Sequence, residues 1–298
     1  MAEPSEPPPP IIEVAVEPLS AADRAALRSA LAELASVDPA FRCFVDQESG
    51  QTLLAGESEA QIDRWIDSLL QQARLNIGAA QVAYRETLGA PAEIDHTHKR
   101  IPGPWPEFAS VRIAFEPGER GSGFVFASAV DEHELPVEFV AGVLQGLRSA
   151  VANGLLAGFP LTDFKATLIG GKYHDIDSTP LAFEIAARAA FRHLRERGAP
   201  LLLEPIIRVE VQTPDDYLDD VVSDLKSRRG GIEGKLVLPR WTVVTAFAPL
   251  SNMFGYAGNL SSMTQGHGHF VMRFDSYAPV EFVPPDDPLF PQAIGMRA

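Results

Sequence analysis

Apolar and polar positions alternate from Ile11 to Glu17, which predicts a strand. The period then lengthens. Leu27, Leu31 and Leu34 recur at helical spacing, behind Ser20 and Asp23 in capping-box spacing, and Asp38-Pro39 stops the run. Arg42–Asp46 and Thr52–Ala55 predict two strands around the turn Glu48-Ser49-Gly50. Ser58 opens a second helix, whose Ile62, Trp65, Ile66, Leu69 and Leu70 form one apolar stripe, and Val82–Thr87 predicts a closing strand. The order βαββαβ is the split βαβ plan of ferredoxin-like domains.

The same order returns near the C-terminus. Ile206–Gln212 predicts a strand, and Thr213 stands where it could cap a helix with Pro214 in its first turn. Tyr217, Val221, Val222 and Leu225 make the apolar face of that helix, and Gly230-Gly231 ends it. Ile232–Leu238 and Trp241–Ala248 predict strands joined at Pro239-Arg240. Ser251–Met263 predicts a helix interrupted at Gly255 and Gly258, and His269–Asp275 a last strand. Between these bookends lie strand patterns at Val111–Glu116 and Phe124–Val130 and a helix at Val137–Ala152. A strand at Phe164–Ile169 is expected to turn at Gly170-Gly171. A long helix follows from Pro180 to Gly198, capped by Ser178 or Thr179.

The pattern therefore predicts an α+β chain of three domains. Residues 11–88 and 201–280 are expected to be ferredoxin-like, and 89–200 a different α+β domain. A Pro-rich linker, 1–10, precedes them and a tail, 281–298, follows. With 46% hydrophobic and 22% charged residues, 298 residues suffice to bury real cores without disulfide or metal staples. The single cysteine, Cys43, cannot form an internal disulfide or a Cys-rich zinc site. The first residues lack the basic and apolar blocks of a signal peptide, and a cytosolic location is expected.

A formal net charge of −15 argues against a nucleic-acid partner for the chain as a whole. The basic residues are nevertheless clustered. His96, His98, Lys99 and Arg100 form one run, Arg188, Arg192, His193, Arg195 and Arg197 a second, and Lys226, Arg228 and Arg229 a third. Each is either a solvated helix end or part of a basic surface.

Several chemistries have no sequence basis. Gly230-Gly231-Ile232-Glu233-Gly234-Lys235 has the wrong spacing for a phosphate loop, and Leu236 follows where a hydroxyl is needed. Gly121-Ser122-Gly123 lacks the third glycine of a dinucleotide fingerprint. The pairs His96/His98 and His267/His269 could each present two rings on one strand face, as a metal would require, but neither has an obvious third ligand. A small metal- or ligand-binding enzyme is the reading these pairs would support. The run Tyr173-His174-Asp175-Ile176-Asp177 sets a histidine among acids just before a helix. It suits acid–base work or an exposed recognition loop, while Asp177 and Ser178 could serve as helix caps.

Longer runs carry a resemblance. These are Asp46-Gln47-Glu48-Ser49-Gly50-Gln51-Thr52 and Val82-Ala83-Tyr84-Arg85-Glu86-Thr87. They continue with GGKYHDIDSTPLA from Gly170, LLEPIIRVEVQTPDDYLDDVVSDLKSRRGGIE from Leu202, and PLSNMFGYAGNLSSMTQG from Pro249. Together they resemble the C-terminal half of bacterial elongation factor G, its third, fourth and fifth domains, from Ile11 to about Pro279. The resemblance implies two ferredoxin-like domains around an arm with a ribosomal-protein fold. It implies no catalytic residue, cofactor or metal in this span, GTP and magnesium belonging to a domain upstream.

The resemblance also implies a partner and the residues that meet it. The partner would be the ribosome, met by a monomer with no membrane involved: the small-subunit decoding centre, the tRNA–mRNA duplex and the large-subunit GTPase-associated region. The family's tip loop maps onto Gly171-Lys172-Tyr173-His174-Asp175, with His174 at the position of the family's histidine. Its companion loop follows His98, Lys99 and Arg100, and Met253 and Phe254 are candidates for the large-subunit face. One departure stands out. Where the family reads H-K-x-Q-x-G-G-x-G-Q-F-A, this chain reads HKRIPGPWPEFA, so prolines and Trp105 replace a glycine-rich loop. Proline removes backbone donors, and Trp105 could instead stack on a base. Loops of this character resemble those of tetracycline-resistance ribosomal protection proteins, so a protection or recycling factor is the alternative.

Overall fold

A computed structural model describes residues 9–45, 50–100 and 107–280. Two compact units divide the chain. One holds the residues up to Ala83 together with Glu204–Ala278, and the other holds Tyr84–Leu203.

The first segment runs β1 (Ile12–Pro18), α1 (Ala21–Val37), β2 (Arg42–Val45), β3 (Thr52–Gly56), α2 (Glu59–Leu70), β4 (Leu75–Ile77) and β5 (Gln81–Val82). The sheet order is β2-β3-β1-β4, with β5 also pairing β1, which is the ferredoxin-like arrangement. Ser20 and Ser58 cap the two helices by accepting the N–H groups of Asp23 and Gln61. Ile62, Trp65 and Leu69 of the predicted stripe are buried, but Leu70 is exposed. The expected single strand Val82–Thr87 is broken. β5 pairs with β1 while β6 (Arg85–Leu88) pairs with residues 200–203, and the short β4, unread in the sequence, supplies most of the fourth position.

The middle segment continues with β7 (Ala92–Arg100), β8 (Glu107–Pro117), β9 (Phe124–Ser128), α3 (Val137–Val151), β10 (Phe164–Lys172), α4 (Pro180–Arg192) and α5 (Leu194–Arg197). Its sheet order is β7-β8-β10-β9; β8 is antiparallel to both neighbours, and β10 is parallel to β9. Period-2 alternation puts Val111, Ile113 and Phe115 of β8 on the face that α3 and α4 cover, against Phe183, Ala187 and Phe191. The helices approach closely: a Cβ on Gly142 would meet the Pro180 carbonyl oxygen at 2.3 Å. Gly170 and Gly171 do not turn. They extend β10 past a bulge to Lys172, paired with Arg112 and Val111 of β8. The strand lacks a turn there because β8 offers it partners as far as Ser110.

Glu86 is fully buried beside this core. Its carboxylate accepts the backbone N–H groups of Leu155, Leu156, Ala157 and Phe159.

The last segment holds β11 (Pro200–Thr213), α6 (Leu218–Ser227), β12 (Gly231–Val237), β13 (Thr242–Pro249), α7 (Tyr256–Met263) and β14 (His269–Pro279), in the order β12-β13-β11-β14. It repeats the ferredoxin-like plan. Thr213 is buried and does not cap. A 3-10 turn over Asp215–Tyr217 begins at Pro214 instead, so the chain enters α6 without a side-chain cap. Gly255, at φ +69°, separates a 3-10 turn from α7, whereas Gly258 lies inside α7 without interrupting it. No helix among the described residues is long and apolar enough to cross a membrane.

Candidate nucleic-acid interface

Three strands deliver the candidate residues to one end of the middle sheet. β7 runs towards it and ends at Arg100, β8 leaves it from Glu107, and β10 arrives with Lys172. The register pairs Arg100 with Glu107, Lys99 with Phe108, and Lys172 with Ser110. Directly paired residues share a face. Lys99 and Lys172 therefore stand with Phe108 and Ser110 on the face away from the helices, and His98, Arg100 and Glu107 stand on the helix side. Glu107 meets both polar partners of its side: its carboxylate is 2.9 Å from His98 Nε2 and 3.6 Å from Arg100 Nη1.

The loop from Tyr173 to Ser178 closes over this end. Ser178 Oγ donates to the Phe108 carbonyl at 2.6 Å and accepts the His174 N–H at 2.9 Å. The Phe108 N–H donates to the Asp177 carbonyl at 2.9 Å. Ser178 is thus a brace between the two loops rather than a cap. The helix cap is Thr179, whose hydroxyl accepts the Ala182 N–H, with Pro180 at the first helical position. Asp177 does not cap either. Its carboxylate lies 3.3 Å from His174 Nδ1. The same Nδ1 lies 3.4 Å from the Ile176 N–H. A bare Nδ1 accepts from Ile176 and a protonated one donates to Asp177, so the imidazole has a partner in either form.

Tyr173 anchors the loop by packing its ring 5.5 Å from Phe139, which in turn stacks on Phe183. The rest faces outward: Lys172, His174 and Asp175 are exposed, and Ile176 is 84% exposed. A cleft of about 440 Å³ opens at this end, between Lys99 and Phe108 on one side and Lys172, Tyr173 and His174 on the other. The carboxylates of Glu107 and Asp177 also line the cleft, the first beside His98 and Arg100 and the second beside His174. It is therefore Lys99 and Lys172 that suit phosphate, and the imidazole and phenol that suit 2′-hydroxyl and base contacts.

Not every candidate gathers here. Trp105 lies outside the described residues. Met253 and Phe254 belong to the other compact unit. Met253 is only 2% exposed and packs inward, leaving half-buried Phe254 as the one with surface to offer. Among the described residues no three His, Cys, Asp or Glu side chains assemble as metal ligands would. His98 is engaged by Glu107, and the His96 ring lies 5.5 Å from that of His193. The sequence reading missed Ser178 as a brace and the outward Ile176. An apolar residue inside an acidic loop was the available signal for the second, and nothing local marked the first.

A sheet of this order, flanked in sequence by two ferredoxin-like segments, makes a three-segment α+β architecture, and comparison with known proteins gives its class. Residues 7–81 match the family described as Elongation Factor G, domain III, residues 80–198 match Elongation factor G, domain IV, and residues 201–288 match the Elongation factor G C-terminus. The chain belongs to the elongation factor G family and carries its third, fourth and C-terminal domains. It is 51% identical over 272 residues to an elongation factor G of Hyphomonas neptunium, covering 91% of this chain and 38% of that protein. A crystal structure from Thermus thermophilus superposes with a TM-score of 0.72 at 33% identity, over 93% of this chain and 42% of the other. The chain thus spans about two fifths of the length of these relatives.

Proposed function

We propose that this chain is the ribosome-binding portion of a translocase-like translation factor. The sheet end bearing Lys99, Lys172 and His174 enters the small-subunit decoding region and meets the tRNA–mRNA duplex during GTP-driven movement. The observation that carries this reading is the braced loop: Ser178 holds the His174 loop to Phe108, so that Lys172, His174 and Ile176 face outward from a fixed frame. A preorganised loop loses little conformational freedom when it binds RNA. The chemistry of this chain is contact rather than catalysis. GTP and magnesium are placed in a domain that the family carries upstream, and Phe254 is assigned to the large-subunit side. The protein acts as a monomer in the cytoplasm.

Replacing His174 with Ala tests the reading. Ribosomal function is expected to fall while the thermal unfolding midpoint stays unchanged. Normal function with normal ribosome affinity would overturn it. The prolines and Trp105 of residues 101–106 favour a second reading, a ribosomal protection factor. Release of ribosome-bound tetracycline without mRNA movement would decide for that alternative.

A further inference from the structure

The structure sorts the three basic runs of the sequence into two kinds. In the run Lys226–Arg229, Lys226 is exposed, but both arginines are taken up by carboxylates of the fold. Arg228 Nε lies 2.8 Å from Asp224 and its guanidinium stacks over the Tyr256 ring, while Arg229 lies 3.0 Å from the buried carboxylate of Glu204. The other two runs, distant in sequence, meet on one flank of the middle domain. His96 and His98 follow Ile94 on the helix side of β7, and the His96 ring reaches that of His193 at the end of α4. Arg192 precedes His193 and Arg195 and Arg197 follow on α5, all exposed. Arg188 is held by Glu184 at 3.1 Å, but among the described residues Arg192, Arg195 and Arg197 form no ion pair. Glu196 is the one acid within the helical run, and Asp95 the one beside His96.

Helix polarity explains part of this. Cations at the C-terminal ends of α4 and α5 face the partial negative charge of free carbonyls. It does not explain a histidine delivered from a separate strand into the same patch. Burial, His193, His98 and Arg192 all disfavour a proton on His96, with Asp95 acting against them. Three exposed arginines that form no ion pair among the described residues, set beside a pair of imidazoles on a chain of net charge −15, suit a polyanion.

We propose that this flank, formed by Arg192, His193, Arg195 and Arg197 with His96, is a second nucleic-acid contact that binds the phosphate backbone of an RNA strand. It is distinct from the sheet end, although β7 links the two: Lys99 and Arg100 follow His96 along the same strand. Arginine forks pair phosphate oxygens two at a time and read no sequence, so the contact positions the domain on RNA. The proposal rests on the ribosome being the partner.

The test is the affinity of the chain for purified ribosomes as salt rises from about 50 to about 200 mM, compared between the wild type, R192Q/R195Q and R120Q. Arg120 is an exposed arginine in the turn after β8, outside the proposed flank and at the end of the sheet away from Lys99 and Lys172. R192Q/R195Q is expected to bind about tenfold or more weakly at the lower salt. The slope of log affinity against log salt should shrink by about 1.4–1.8, the release expected for two phosphates. R120Q should match the wild type, and R192K/R195K should restore most of the slope. An unchanged slope in R192Q/R195Q, with the wild type binding normally, overturns this contact and leaves the ribosome reading standing. A wild type that does not bind ribosomes overturns both. Weakened ribosome binding with undiminished binding to protein-free ribosomal RNA overturns the phosphate assignment in favour of an acidic ribosomal protein.

Discussion

The hydroxyl of Ser178 donates to the backbone carbonyl of Phe108 at 2.6 Å, tying the loop before α4 to the start of β8. The same oxygen accepts the His174 N–H, so one small side chain sets the position of the histidine. Ser178→Ala removes both bonds. It is expected to cost about 1–2 kcal/mol in denaturant unfolding and to speed hydrogen exchange at the His174 amide. Ribosome affinity should fall along with that exchange protection. An unchanged exchange rate would show that the loop is held elsewhere.

Lys172 and Ile176 separate charge from shape in the same loop. Lys172→Ala is expected to lower the salt slope of ribosome binding by about 0.7–0.9, one phosphate contact. Ile176→Ala should weaken binding roughly fivefold, the worth of about one buried methylene or slightly more, and leave that slope unchanged. Equal slopes for both variants would remove the phosphate role from Lys172.

The environment of His96 sets an acid sensitivity. Burial foremost, then His193, His98 and Arg192, hold its proton affinity below the ordinary value, against Asp95. The folded chain therefore takes up this proton less readily than the unfolded chain. Its contribution to stability is complete above the ordinary histidine value of 6.5 and is lost as pH falls below it, until the folded form also protonates. His96→Gln should flatten the fall in urea midpoint between about pH 7.5 and about pH 5.5. A variant as acid-sensitive as the wild type would count against this assignment.

Glu86 is the one fully buried carboxylate among the described residues, and it gathers the N–H groups of Leu155, Leu156, Ala157 and Phe159. Glu86→Ala strands four donors away from water. A loss of roughly 3 kcal/mol or more is expected, read as a lower urea midpoint at an unchanged slope. A loss under about 1 kcal/mol would mean that water replaces the carboxylate.

Local signals carried most of the architecture. Ser20 and Ser58 announced two helices and cap them, and the Pro180 start was legible beside Thr179. The misreadings share a cause. Gly170-Gly171 resembles a turn, yet β8 keeps it in the sheet. Val82–Thr87 resembles one strand, yet its two ends pair with different partners, β1 and β11. Thr213 resembles a cap but is buried under the sheet packing. At the site, Lys172, His174 and Lys99 were legible as residue types, whereas their sharing of one cleft depended on strand register.

The amino-acid sequence determined the kinds of element and their order, because helix and strand periodicities and caps act within a few neighbouring residues. It also determined the absence of a phosphate loop over this span, since that motif is contiguous. Tertiary structure alone decided which basic side chains are paired. Arg228 and Arg229 are neutralised by Asp224 and Glu204, while among the described residues Arg192 and Arg195 find no carboxylate and His96 meets His193. Electrostatic pairing depends on distance in space, and folding sets that distance between residues the chain keeps far apart.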